Sequence, residues 1–146
     1  ALENLGNAYR QAKRWDDAKV TFQHALQLNP ESPEANYAMG MVYAQTNDED
    51  HAFEFLQKAI AEKPAYPEAL NNLGVLYLRK NQAADAEKSF KEAIRVAPSF
   101  EQSYFNLARL YAIEGNNAGA RQLLSELLQR HPGDPQVERA LSQIPQ

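Results

Sequence analysis

Asn71-Asn72-Leu73-Gly74-Val75-Leu76-Tyr77 decides how the chain is read, because its pattern returns at a fixed distance on both sides. Thirty-four residues earlier stands Tyr37-Ala38-Met39-Gly40-Met41-Val42-Tyr43, and thirty-four later Phe105-Asn106-Leu107-Ala108-Arg109-Leu110-Tyr111. A shorter copy, Asn4-Leu5-Gly6-Asn7-Ala8-Tyr9, lies near the start. A period of this length signals stacked like units, none of which buries its apolar face alone.

Aligning Tyr9, Tyr43, Tyr77 and Tyr111 exposes further columns. Leu5, Met39, Leu73 and Leu107 precede Gly6, Gly40, Gly74 and Ala108. Beyond each tyrosine come Ala18, Ala52, Ala86 and Ala120, then Phe22, Leu56, Phe90 and Leu124. Ala25, Ala59, Ala93 and Leu127 follow, and Pro30, Pro64, Pro98 and Pro132 close the units. Each unit therefore offers two apolar stripes at helical spacing with a polar break between them. In the third unit Leu70, Leu73, Gly74 and Tyr77 share one face of a helix predicted over 67–80. Ala86, Phe90, Ala93 and Ile94 share a face of a second, over 83–96. Gly74 against Ala86 and Ala93 lets the two helices approach closely, with Tyr77 and Phe90 filling the space beside them.

The breaks carry their own chemistry. Lys13, Asn47, Asn81 and Gly115 stand between paired helices, and asparagine and glycine tolerate the left-handed conformation that ends a helix. Ser32-Pro33 and Asp134-Pro135 place a cap before a first-turn proline, Tyr66-Pro67 keeps only the proline, and Ser99 is expected to cap the helix beginning near Phe100. Trp15 is read as a packing aromatic at the start of a second helix.

These columns resemble the tetratricopeptide repeat over nearly the whole chain. The resemblance implies an all-α fold, a right-handed solenoid of stacked antiparallel helix pairs. The expected units are residues 1–32 (lacking the opening of its first helix), 33–66, 67–100 and 101–134. A C-terminal capping helix follows over 135–146, where Val137, Leu141 and Ile144 cover the last unit's apolar edge. The chain begins at Ala1 inside a repeat, so an excised piece of a longer protein is expected, with any targeting signal outside it.

Composition narrows the function. The net charge of −4 argues against nucleic acid as the main partner, since phosphate binding needs a basic face. No apolar run of about 18 residues exists, so no membrane insertion is expected. There is no cysteine, and His24, His51 and His131 have no partner at metal spacing, so neither a metal nor another cofactor is expected. No nucleophile elbow or phosphate loop is present, and no catalytic residue is assigned. The acidic run Asp48-Glu49-Asp50 is read as complementing a helix dipole. Localisation is not readable beyond a soluble, cytoplasmic expectation.

What remains is the face of each first helix opposite its core stripe, which in tetratricopeptide arrays lines a concave groove. It is expected to present Asn4 and Asn7, then Tyr37, Met41 and Gln45, then Asn72, Val75 and Arg79, then Phe105, Asn106 and Arg109. Side-chain amides both donate and accept, which matches a peptide backbone. Asn4, Asn72 and Asn106 share a column broken by Ala38, an incomplete likeness to the asparagine ladder of O-linked N-acetylglucosamine transferases. Tyr37, Leu78 and Phe105 divide evenly between groove and helix packing, Asn71 stands at the margin, and Met41 and Val75 favour the groove. A clamp for acidic chaperone tails is not expected: Glu3, Ala38, Glu68 and Asn72 stand where that family has lysine, asparagine, lysine and arginine. The expectation is a non-enzymatic scaffold binding an extended peptide or partner segment. The alternatives are end-to-end self-association or spacing with an empty groove, and substrate recruitment for an enzyme domain elsewhere in a parent chain.

Overall fold

The computed structural model describes all 146 residues and contains nine helices and no strand. They are α1 Leu2–Gln11, α2 Trp15–Leu28, α3 Pro33–Gln45, α4 Glu49–Glu62, α5 Pro67–Arg79, α6 Ala83–Val96, α7 Glu101–Ile113, α8 Asn117–Arg130 and α9 Pro135–Gln143. Each helix packs on the next, while α1 also touches α3 and α5 touches α7, so the array is an all-α solenoid.

The tyrosine column marks a position in a recurring turn. Lys13, Asn47, Asn81 and Gly115 all have positive φ, at 58°, 63°, 60° and 82°. The carbonyls of Tyr9, Tyr43, Tyr77 and Tyr111 each accept a bond from the backbone N–H five residues on, at 2.9, 2.9, 2.9 and 2.8 Å. Lys13, Asn47, Asn81 and Gly115 donate their own N–H groups three residues back. This is the Schellman arrangement, which satisfies carbonyls left over at a helix end. The second helix of each pair stops differently. Asn29, Lys63, Ala97 and His131 each precede a proline and are pushed to extended ψ between 69° and 89°.

Ser32, Asp48, Asn116 and Asp134 cap helix N-termini with their side chains. Ser99 does not. Helix α7 begins at Glu101 with Phe100 at the cap position and no side-chain cap bond. Phe100 stands in the column of Ser32, Tyr66 and Asp134, so Ser99 lies one residue too early to reach the free N–H groups.

The core columns are closed. Ala18, Ala52, Ala86 and Ala120 are fully buried, as are Phe22, Leu56 and Phe90, with Leu124 at 1%. Gly74 meets Phe90 directly: a Cβ there would lie 2.6 Å from the ring, and at Gly6 one would lie 2.5 Å from Phe22. Leu127, where the other units have alanine, packs with Val137 of α9. Arg121 fastens the end of α9 by donating to the carbonyls of Leu141 and Ile144, at 3.3 and 2.9 Å. Trp15 packs against the cluster of Ala18, Phe22 and Met39. One column breaks: Leu5 is 46% exposed, whereas Met39, Leu73 and Leu107 are buried. Met39 packs on Phe22 and Leu107 on Phe90, each from the preceding pair, and no helix stands in that position against α1.

Candidate functional site

The odd-numbered helices carry the candidate residues. Asn4, Gln45, Arg79 and Arg109 are exposed, and Asn7, Tyr37, Met41, Asn72, Val75, Phe105 and Asn106 are half-buried. Three of the apolar residues are drawn into packing. Tyr37 rests on the cluster containing Leu56 and Ala69, Val75 on that of Phe90 and Leu107, and Phe105 on that of Tyr104 and Leu124. Met41 joins none of these clusters. Ala38 is buried at 4% rather than facing outward, because it packs with Ala18 and Val42.

The amides are not free strips of hydrogen-bonding capacity. Asn72 Nδ2 donates to the Tyr37 hydroxyl at 3.1 Å and to the Glu68 carbonyl at 2.8 Å. Asn106 Nδ2 donates to Asn71 Oδ1 at 3.0 Å, and Ser103 Oγ donates to the same oxygen at 3.2 Å. Both donors of Asn72 are thereby used, which leaves its Oδ1 to accept from a ligand. The two long-range bonds span the same 35 positions in sequence, so they are equivalent joints between successive odd helices. Asn71, at 4% exposure, is therefore a fastener between α5 and α7 and not a ligand contact.

Continuing the two columns predicts a joint from Phe105 to Ala140 on α9. Neither side chain can hydrogen-bond, and in its place an open pocket of about 310 Å³ is lined by Phe105, Gln136, Arg139, Ala140 and Gln143. Those four α9 residues stand 34 positions after Gln102, Phe105, Asn106 and Arg109, so α9 extends the odd-helix face. The periodicity carries this signal, which the capping role of Val137, Leu141 and Ile144 does not reveal. A second opening, of about 560 Å³, lies at the far ends of α5 and α7 between Leu78, Arg109, Leu110 and Ile113.

Electrostatics distinguish one joint. Burial raises the pKa of Tyr37 above its ordinary value, with Arg10 opposing and Glu68 adding to the shift. Burial raises that of Tyr66 further, helped by Tyr37 and by Glu34, Glu68 and Glu3. The two rings lie 5.0 Å apart, so both phenols are held neutral at the base of the face. His51 pairs with Asp48 at 2.8 Å and His131 with Glu101 at 3.5 Å. Nowhere do three His, Asp or Glu side chains converge in a metal-ligand arrangement. No helix is long and apolar enough to cross a membrane.

Three models of the tetratricopeptide repeat match, over residues 6–47, 33–66 and 68–135. Among curated proteins there is no match. Among solved structures, MamA superposes with a TM-score of 0.81 and 25% identity, over 89% of this chain and 76% of that one. The pilF protein of Pseudomonas aeruginosa superposes with a TM-score of 0.86 and 24% identity, over 99% of this chain and 66% of that one. YrrB, described as a TPR protein with an unusual peptide-binding site, gives a TM-score of 0.76 and 22% identity over 94% and 71%. The last two likenesses concern the fold alone. Helix pairs, turn geometry and all three matched segments agree: this chain belongs to the tetratricopeptide repeat family, whose members serve generally as protein–protein interaction scaffolds.

Proposed function

We propose that the chain is a non-enzymatic scaffold that binds an extended peptide or partner segment along its odd-helix face, the concave side of the array. The observation that carries this is the continuity of that face. Equivalent hydrogen bonds join α3 to α5 and α5 to α7, and further columns of the same helices leave Gln45, Arg79 and Arg109 exposed beside half-buried Met41 and Val75. Such a surface mixes apolar contact with donors and acceptors spaced along one line, which suits an extended backbone. The repeat boundaries at 33, 67, 101 and 135 coincide with this reading, each unit contributing one odd helix.

The test uses decapeptides selected from a random display library on the intact chain. Met41→Ser with Arg79→Ser should weaken selected peptides about tenfold, through lost apolar and charged contacts. Circular dichroism should stay unchanged. Undiminished affinity in this double variant would remove the groove assignment.

A second reading, self-association through the outer face of the first pair, is favoured by exposed Leu5 and Val20, at 46% and 65%. Sedimentation velocity over a wide concentration range decides it. A monomer throughout eliminates that reading.

A further inference from the structure

The odd-helix face has four joints, and they are not alike. Three are closed by a side-chain hydrogen bond, Ser32 to Glu3, Asn72 to Tyr37 and Asn106 to Asn71. At the fourth the columns supply Phe105 and Ala140, which cannot bond, and a pocket of about 310 Å³ opens between α7 and α9. Its apolar lining is Phe105 and Ala140. Its polar lining is two amide residues, Gln136 and Gln143, and Arg139. No carboxylate lines it.

Charge is what selects an occupant here. Arg139 makes no ion pair, and Arg109, one turn beyond Phe105 on α7, makes only a long bond of 3.4 Å to Asn106 Oδ1. Arg139 is thus an unpaired cation beside Phe105 and Ala140, in a chain whose net charge is −4, while Arg109 lines the neighbouring opening with Glu114. In the column of Glu34 and Glu68 the acid gives way to Gln102 on α7 and Gln136 on α9, whose first-turn acids are Glu101 and Glu138 instead. Along that column the acids stand on α3 and α5, and none stands on α7 or α9 beside the pocket. A pocket of this volume lies at the small end of binding sites and accommodates one or two side chains.

We propose that this open joint receives an aliphatic or aromatic side chain of an extended peptide, with a neighbouring Asp or Glu side chain paired to Arg139. The inference rests on the groove reading above and adds the chemistry and direction of its ligand. An acidic–apolar pair anchors at α9, and the rest of the peptide runs toward α3.

The probes are acetylated, amidated Gly-Ser decapeptides carrying a central Leu-Glu, Leu-Gln or Leu-Lys pair, titrated to millimolar concentration. They are followed by amide chemical shifts of the isotopically labelled chain. The Leu-Glu probe should shift residues around Phe105 and from 136 to 143, and bind at least fivefold tighter than Leu-Gln and Leu-Lys. Arg139→Gln should abolish that preference, and Ala140→Leu, which fills the pocket, should abolish binding. Arg95→Gln on α6 should change neither. Equal binding of the Leu-Lys probe, or shifts confined to α3 and α5, overturns the inference while leaving the groove reading standing. Absence of shifts on any odd helix, together with library peptides insensitive to Met41 and Arg79, overturns both. An unamidated Leu-Gln peptide that outbinds amidated Leu-Glu assigns the pocket to a terminal carboxylate and also overturns the proposal.

Discussion

The seam inside each helix pair and the joint between successive odd helices follow opposite rules. Inside the pairs the partners are Gly6 with Phe22, Gly40 with Leu56, and Gly74 with Phe90, while Ala108 shares a cluster with Leu124. Only the balance of volume changes there. Between the odd helices the partners are Glu3 with Ser32, Tyr37 with Asn72, Asn71 with Asn106, and Phe105 beside Ala140. There the chemistry itself changes, from carboxylate and hydroxyl to phenol and amide to two amides to none. A seam buried on all sides admits few solutions because cores are close-packed, whereas a joint with one side in water admits many. Variation is tolerated where a ligand would be read.

The sharpest way to break this comparison is to place a side chain inside the seam. Gly74→Leu should destabilise the array by about 3 kcal/mol or more, since the branch has no room beside Phe90. Gly74→Ala should cost about 1–3 kcal/mol, because its Cβ would fall 2.6 Å from a fully buried, rigid ring. Gly40→Ala should be neutral or gain up to about 1 kcal/mol from helix propensity. Its Cβ would sit 3.0 Å from Leu56, and Ala108 already shares a cluster with Leu124 in the corresponding place. Urea midpoints for the two alanine variants test this, and equal losses would show that seam volume is not set by the Phe or Leu opposite.

Next come the joints. Asn71→Ala leaves Ser103 Oγ and Asn106 Nδ2 without their shared acceptor at a site only 4% exposed. The expected loss is about 1–3 kcal/mol, as for other orphaned buried polar groups. Tyr37→Phe removes one bond from the half-buried Asn72, which keeps its bond to Glu68, and should cost about 0.5–1.5 kcal/mol. If the order reverses in thermal unfolding, the two joints are not equivalent fasteners.

The smallest effect is a pH dependence confined to one joint. Tyr37 and Tyr66 have pKa values raised in the fold, so the folded state holds their protons more tightly than the unfolded chain does. Their contribution is therefore fully present below the ordinary tyrosine value of about 10 and is lost as pH rises past it. Alkaline unfolding followed by helical ellipticity should shift to higher pH in Tyr66→Phe. The Asn71 joint contains no titrating group, so the alkaline transition of Asn71→Ala should differ from the parent's only by its general loss of stability.

Much of the fold was legible because repetition multiplies weak signals. Lys13, Asn47, Asn81 and Gly115 look unlike one another, yet a shared column identified them as one turn, and all four have positive φ. Ser99 misled because a good cap residue is only a cap at the right register. Leu5 misled because its column is buried by a neighbour, and burial belongs to the neighbour as much as to the residue. At the candidate site Asn72 and Asn106 were legible as amides on the odd-helix face. Their partners were not, since Tyr37 and Asn71 lie 35 positions away and the choice between solvent, ligand and joint depends on side-chain reach.

From the sequence alone came the period, the helix pairs, the turns and the closed core columns, because these follow from local propensity and apolar spacing. Only the tertiary structure decided that Asn71 is a fastener, that Asn72 spends its donors within the chain, and that α9 forms a further wall of the face. Those outcomes depend on how one helix is set against the next. Helix packing fixes that to within an ångström or so, the margin within which the Asn106–Asn71 bond at 3.0 Å forms.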